Sequence, residues 1–160
     1  MTAVSLGRRA LLAFALALGL GASAHAACSE GPQSLRSEPM EIVTRRGLAH
    51  LMVEIADTPK TREIGLMCRP RLAPNRGMLF DFKQVQTVAF WMKNTLIPLD
   101  MVFIGADGRV VNVAHEARPL DETPIYSAAP ILGVLEIAGG RAADLDIEPG
   151  DQVRERIFGR

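Results

Sequence analysis

Leu99-Asp100-Met101-Val102-Phe103-Ile104-Gly105-Ala106-Asp107-Gly108-Arg109-Val110-Val111-Asn112-Val113-Ala114-His115 reads as two strands joined by a tight turn. An Asp-Gly pair between two apolar runs signals a hairpin, because both residues tolerate the dihedral angles that short turns demand. Downstream, Ile131–Ala138 is an almost unbroken apolar run, which predicts a central strand buried on both faces. Upstream, Leu51, Val53 and Ile55 alternate with Met52 and Glu54, the pattern of a half-buried strand, and residues 40–45 precede it across a turn at Gly47. Further strands are expected over residues 78–82, 86–92 and 152–157. Thr58-Pro59 opens a helix with a capping hydroxyl and a proline in the first turn, and Pro70 predicts its end near Arg69. Gly139-Gly140 leads into a second short helix over residues 142–145, and the prolines at 119, 124 and 130 make residues 118–130 an irregular excursion. The expectation is a mainly β protein: one compact barrel- or sandwich-like domain over residues 40–160, carrying two short helices. No β-helix-β alternation is legible, which argues against a doubly wound parallel sheet.

The first 26 residues read as a secretory signal peptide. Arg8-Arg9 precede the apolar run 10–20, and Ala24-His25-Ala26 supplies a small-residue cleavage site. The apolar core is about half the roughly 20 residues that a permanent membrane span requires. The domain is therefore expected in the periplasm or secreted, with no permanent span. Arg8-Arg9 also loosely fits a twin-arginine signal, and Cys28 lies where a lipoprotein would be acylated, although His25 replaces the usual leucine. Cleavage leaves 160 − 26 = 134 residues, enough for one core, preceded by a flexible leader over 27–39. It removes two arginines from a chain with 18 basic and 18 acidic residues, leaving 16 against 18. No basic surplus attracts nucleic acid, and no basic helix suggests a membrane surface. Cys28 and Cys68 are the two cysteines, and an oxidising compartment permits a bridge between them. A monomer is expected.

The motifs Gly65-Leu66-Met67-Cys68-Arg69, Gly77-Met78-Leu79-Phe80-Asp81-Phe82 and Phe90-Trp91-Met92-Lys93-Asn94-Thr95 with Ile97-Pro98-Leu99-Asp100 resemble the bacterial and archaeal domain of unknown function family 192. Glu122-Thr123-Pro124-Ile125, Val134-Leu135-Glu136-Ile137 and Pro149-Gly150-Asp151 fit the same resemblance, which extends over residues 40–157. It implies a small, mostly β domain, often exported, and implies no reaction. Cys68 departs from the pattern, at a position that is often aromatic in relatives.

Residues 90–100 gather the only tryptophan, one of three lysines, an asparagine and an aspartate among large apolar side chains. A buried polar group must be paired, and a buried charge more so, so this mixture marks either a polar site in an apolar setting or a structural knot. Strand alternation would place Trp91 and Lys93 on one face, with Lys93 inside a pocket or paired with Asp100 or Glu136. Asn94-Thr95 before Pro98 also makes sense as turn chemistry. Glu136 interrupts an apolar strand, and Arg69 is its potential partner, an anion ligand, or a cation at a helix C-terminus. The candidate binding residues are thus Trp91, Lys93, Asn94, Asp100, Arg69 and Glu136. His50 is expected in solvent and His115 in the core or at its rim; no histidine or cysteine spacing supports zinc, and no cofactor is expected. Nucleophile elbows and phosphate loops are missing from the sequence. Three readings follow: a binding domain for a small molecule or an envelope partner, an enzyme such as a hydrolase using Lys93 with Asp100 or Glu136, or a motif that is structural only.

Overall fold

The computed structural model describes residues 28 and 31–159; the segment read as a signal peptide, residues 1–26, lies outside the described residues. In chain order the elements are β1 Ser37–Thr44, β2 Gly47–Ala56, α1 Pro59–Ile64, β3 Arg76–Gln86, β4 Ala89–Phe90, β5 Leu99–Ile104, β6 Val110–Ala117, β7 Ile125–Tyr126, β8 Ile131–Ala138, α2 Arg141–Leu145 and β9 Gln152–Arg154. The protein is mainly β, with two short helices. Seven strands form one sheet in the order β6-β5-β8-β3-β2-β1-β9, and β4 with β7 makes a separate two-stranded ribbon. The long sheet curls until its edges meet. Gly150 N donates to Val110 O at 2.8 Å, Val110 N to Asp151 O at 2.9 Å and Val153 N to Gly108 O at 2.8 Å. Closing a sheet in this way satisfies edge groups that would otherwise invite pairing with another chain.

β5 and β6 form the expected hairpin, and β8 lies between β5 and β3. Its apolar run is explained by burial on both faces. Leu135 and Ile137 join Val53, Ile55, Leu79 and Val102 in the core inside the curl. Val134 joins Phe80, Met92, Met101 and Phe103 in a second core on the outer face. Each such side chain removed from water contributes roughly 1.5–3 kcal/mol, so β8 is the strand that ties the two cores together.

Five details differ from the sequence reading. The strand expected over residues 152–157 stops at Arg154, and Arg156–Phe158 forms a single 3-10 turn capped by Glu155. β2 and β3 run parallel, with α1 crossing between them, a β-α-β unit hidden because the helix is only 6 residues long. That helix is capped as expected by Thr58, but it ends at Gly65 rather than near Arg69. Residues 86–92 are not one strand: Gln86 ends β3 opposite Ile131, Ala89–Phe90 pair in β4, and residues 91–98 run as a loop with a turn at Lys93-Asn94. The leader is also held down. Gln33 Nε2 donates to the Thr61 and Gly65 carbonyls at 2.9 Å each, and Cys28 and Cys68 form a disulfide with Cα atoms 5.5 Å apart.

Candidate functional site

The structure separates the sequence candidates into three places. Asp100 is fully buried on β5, and its carboxylate accepts three backbone N–H groups: Glu116 at 2.7 Å, Gly140 at 3.1 Å and Ala142 at 2.7 Å. These are donors that no ladder could use. Glu116 has a positive φ of 47°, and the chain leaves β8 through Gly139-Gly140, where a Cβ on Gly139 would lie 2.9 Å from Pro98 Cβ. Asp100, wholly buried and held by these three donors, is therefore a structural clamp on the exit of β8.

Arg69 pairs not with Glu136 but with Glu54 on β2. Its two terminal nitrogens lie 2.6 and 2.7 Å from the Glu54 carboxylate, and Nη2 also donates to Gln33 O at 2.7 Å. Burial pushes Glu54 up, but the Arg69 hydrogen bond, the Leu35 N–H and the Arg69 charge outweigh it and hold the carboxyl below its usual value. The pair borders a second cleft with Arg71 and Arg76, yet Arg69 itself is committed to fastening the N-terminal arm.

Lys93 is exposed and lies in a turn rather than a strand; its carbonyl accepts from Thr95 Oγ1 at 3.2 Å, and its ammonium makes no hydrogen bond or ion pair among the described residues. Strand alternation does not apply to it, and it does not line the cleft that Trp91 borders. Asn94 has a left-handed φ of 53°, and its carbonyl accepts Cys68 N at 2.9 Å, so it serves the turn. The two histidines among the described residues, His50 and His115, are exposed; His115 is not a core residue. Among the described residues no group of three His, Cys, Asp or Glu side chains could hold a metal.

What remains is a cleft of about 290 Å³ on the outer face, walled by Phe80 and Phe82 of β3, Phe90 of β4, Trp91, and residues 62–67 around the end of α1, with Thr95 and Glu136 inside. Ligand pockets begin near this size, roughly 300 Å³, and combine apolar walls with a few convergent polar groups. The phenyl rings lock edge to face. Phe90 lies 5.0 Å from Phe80 at 84°, 6.2 Å from Phe82 at 76° and 6.1 Å from Phe103 at 89°. Such pairs add about 0.5–1.5 kcal/mol beyond burial and hold the walls rigid. Gly65, at φ 50°, lets the helix end close on Phe80, whose Cζ would sit 3.0 Å from any added Cβ.

At the mouth, the Arg62 guanidinium lies 5.3 Å from the Phe82 ring centre while donating to Asp81 O at 2.8 Å, and Glu63 stands beside it. Inside lies Glu136, only 4 % exposed. Its register neighbours are Met78 on β3 and Met101 on β5, which offer the carboxyl no hydrogen-bond donor. Neither a hydrogen bond nor an ion pair reaches it from any described residue, and burial alone pushes it up to about 8. Of the sequence candidates, the cleft thus unites Trp91 with Glu136 and leaves out Lys93, Asn94, Asp100 and Arg69. The three phenylalanine walls were missed because Phe80 and Phe82 on β3 read as ordinary strand core and Phe90 comes from a distant segment; the interruption of β8 by Glu136 and the lone indole of Trp91 were the legible signs.

A curled β domain with a rigid, aromatic-walled, ligand-sized cleft is the class of protein that these features define. The chain belongs to the DUF192 family, described as uncharacterized ACR, which matches residues 41–155. Two crystal structures are similar over most of their length. One is a candidate transcription regulator from Sinorhizobium meliloti 1021, with 41% identity, a TM-score of 0.76, and coverage of 79% of this chain and 99% of that one. The other is a protein of unknown function from Novosphingobium aromaticivorans DSM 12444, with 41% identity, a TM-score of 0.75, and coverage of 81% and 96%. No curated protein matches the chain.

Proposed function

We propose that this protein is a small-molecule binding domain working outside the cytoplasm, with its site in the cleft between Trp91 and Glu136. One observation carries the reading: a carboxyl group buried in an apolar, aromatic-walled cleft without a partner from the protein itself. A buried polar group is normally paired, and the Glu136 carboxyl finds no partner in the protein, so a group entering the open cleft is its natural partner. Trp91, half exposed at 51%, stands at the rim as the contact that a ligand would complete. The disulfide between Cys28 and Cys68 supports an oxidising compartment, in keeping with the signal-like N-terminus. The balance of 18 basic and 18 acidic residues supplies no phosphate-binding surplus and favours a small molecule over nucleic acid.

Catalysis by Glu136 is the weaker reading. Acid–base chemistry normally pairs titratable groups with separated roles. Here the ionisable side chains bordering the cleft besides Glu136 are Arg62 and Glu63 at the mouth, while Asp100 is saturated by backbone donors. The test is a ligand screen by thermal shift on the wild type and on Ala89→Tyr, which narrows the mouth from an exposed position on β4. Hits that stabilise the wild type and are lost in Ala89→Tyr support the cleft. Hits that bind both proteins equally would place the site elsewhere.

A further inference from the structure

We propose that the cleft selects an organic monocation, an amine or quaternary ammonium carried on a small apolar body, whose positive charge pairs with Glu136 between the aromatic walls. This rests on the cleft being the binding site and adds the chemistry of its ligand.

The argument begins with what a carboxylate offers that an amide does not. A neutral ligand could be hydrogen-bonded by an amide without the desolvation penalty of an ionisable group. A carboxylate adds charge, and inside the cleft that charge is uncompensated: Arg69 is bound to Glu54, Lys93 faces solvent, and Arg62 holds the Asp81 carbonyl at the mouth. A buried charge is stable only when paired, so Glu136 stays protonated in the empty cleft and ionises when a ligand brings the counter-charge. The walls suit a cation as well. Ring faces attract positive charge electrostatically, and this protein already uses the effect, with Arg62 over Phe82 at 5.3 Å. A metal ion does not fit, because one carboxylate among phenyl rings lacks the six or more oxygens that hard cations take, and no group of three ligating side chains occurs among the described residues.

Charged and titratable groups facing Glu136 are few. α1 contributes Arg62 and Glu63 at the mouth, of opposite sign. The flanking positions on β3 and β5 are Met78 and Met101, and the β4 segment brings Phe90 and Trp91. Glu136 therefore dominates the pH response of the site. Empty, it holds its proton up to about pH 8. Pairing with a cation requires the ionised form, so binding releases a proton and tightens as the pH rises.

Benzyltrimethylammonium is a suitable probe, because its charge is independent of pH, and benzyl alcohol is a neutral control. Binding is followed through the emission of Trp91, the only tryptophan, on the full mature chain. The expected result is that the cation binds at least roughly tenfold more tightly at about pH 9 than at about pH 6. Glu136→Gln should remove both the affinity and its pH dependence. If benzyl alcohol binds as well as the cation, and its binding weakens as the pH rises, the cation proposal is overturned while the cleft stands. If the cation binds Glu136→Gln as tightly as the wild type, the pairing is overturned. If neither probe binds, both the cation proposal and the cleft reading fall.

Discussion

Glu136→Gln should stabilise the protein at alkaline pH and leave it almost unchanged in acid. Burial raises the folded-state pKa of Glu136 from 4.5 to about 8, a difference of 8 − 4.5 = 3.5 units. At 1.36 kcal/mol per unit this gives about 5 kcal/mol. The cleft is open, and water reaching the carboxylate reduces this to roughly 2–4 kcal/mol. The sign follows from proton counting. Between pH 4.5 and about 8 the unfolded chain has lost the Glu136 proton while the folded chain retains it. Stability from this group is thus fully present below the unfolded pKa and declines as the pH rises towards the folded one, by at most about 1.4 kcal/mol per unit. Glutamine keeps the shape and cannot ionise, so the variant lacks this decline. Urea unfolding of both proteins with the disulfide intact, across about pH 5 to 9, isolates the effect as a difference between two curves. A difference that stays constant across that range would show that Glu136 ionises in the folded state as freely as in the unfolded one. The partner that permitted this would then have to lie in the protein, and the site argument would lose its foundation.

Asp100→Ala should lower stability by roughly 3–5 kcal/mol in chemical denaturation, because three backbone donors lose a buried acceptor at once; Asp100→Asn should recover part of that. Arg69→Met leaves Glu54 buried without its counter-charge and should be destabilising by about 3–5 kcal/mol, whereas replacing both with apolar residues should restore much of the loss in a double-mutant cycle. Reducing the Cys28–Cys68 bridge, or replacing both cysteines by alanine, opens a closure of 40 residues and should cost about 3–4 kcal/mol, visible as a lower Tm. Trp91→Ala, at a half-exposed rim, should change stability by less than about 1 kcal/mol while weakening any ligand of the cleft; a large loss of stability would mark the indole as core instead.

The fold was legible wherever local chemistry and burial agreed. The turn at Gly105–Gly108 and the continuous apolar character of β8 identified adjacent strands of the sheet, because a strand covered on both faces cannot alternate. The parallel contact of β2 with β3 was not legible: α1 is 6 residues long, too short to show helical periodicity. The site was half legible. Glu136 was visible as the polar break in β8, and Trp91 as the lone indole, but Phe80, Phe82 and Phe90 look in sequence like ordinary core residues. Only the tertiary arrangement sets their rings around one space. Lys93 was misleading because the strand expected over residues 86–92 dissolves after Phe90 into turns, where alternation no longer assigns a face.

On the proposed reading, the dense stretch from Phe90 to Asp100 serves both purposes that its composition allowed, at opposite ends. Phe90 and Trp91 wall the cleft, while Asp100 binds the N–H groups of Gly140 and Ala142, just past the end of β8. Asp100 is also paired in register with Ile137, next to Glu136, and Met101 lies opposite Glu136 itself. The clamp therefore fixes the strand whose carboxyl faces the cleft, so a structural role at one end would support the proposed binding role at the other. Holding an unpaired carboxyl in an apolar space opposes folding, and a strand free to shift would relieve it by rotating Glu136 towards water. Three backbone hydrogen bonds to Asp100, together with ladders to β3 and β5 on either side, deny β8 that freedom. A weakened clamp should thus lower the pKa of Glu136 as well as the Tm, and an NMR titration of the Glu136 carboxyl carbon in Asp100→Asn would measure it. An unchanged titration in a destabilised variant would separate the two ends of the stretch and leave the clamp a matter of stability alone.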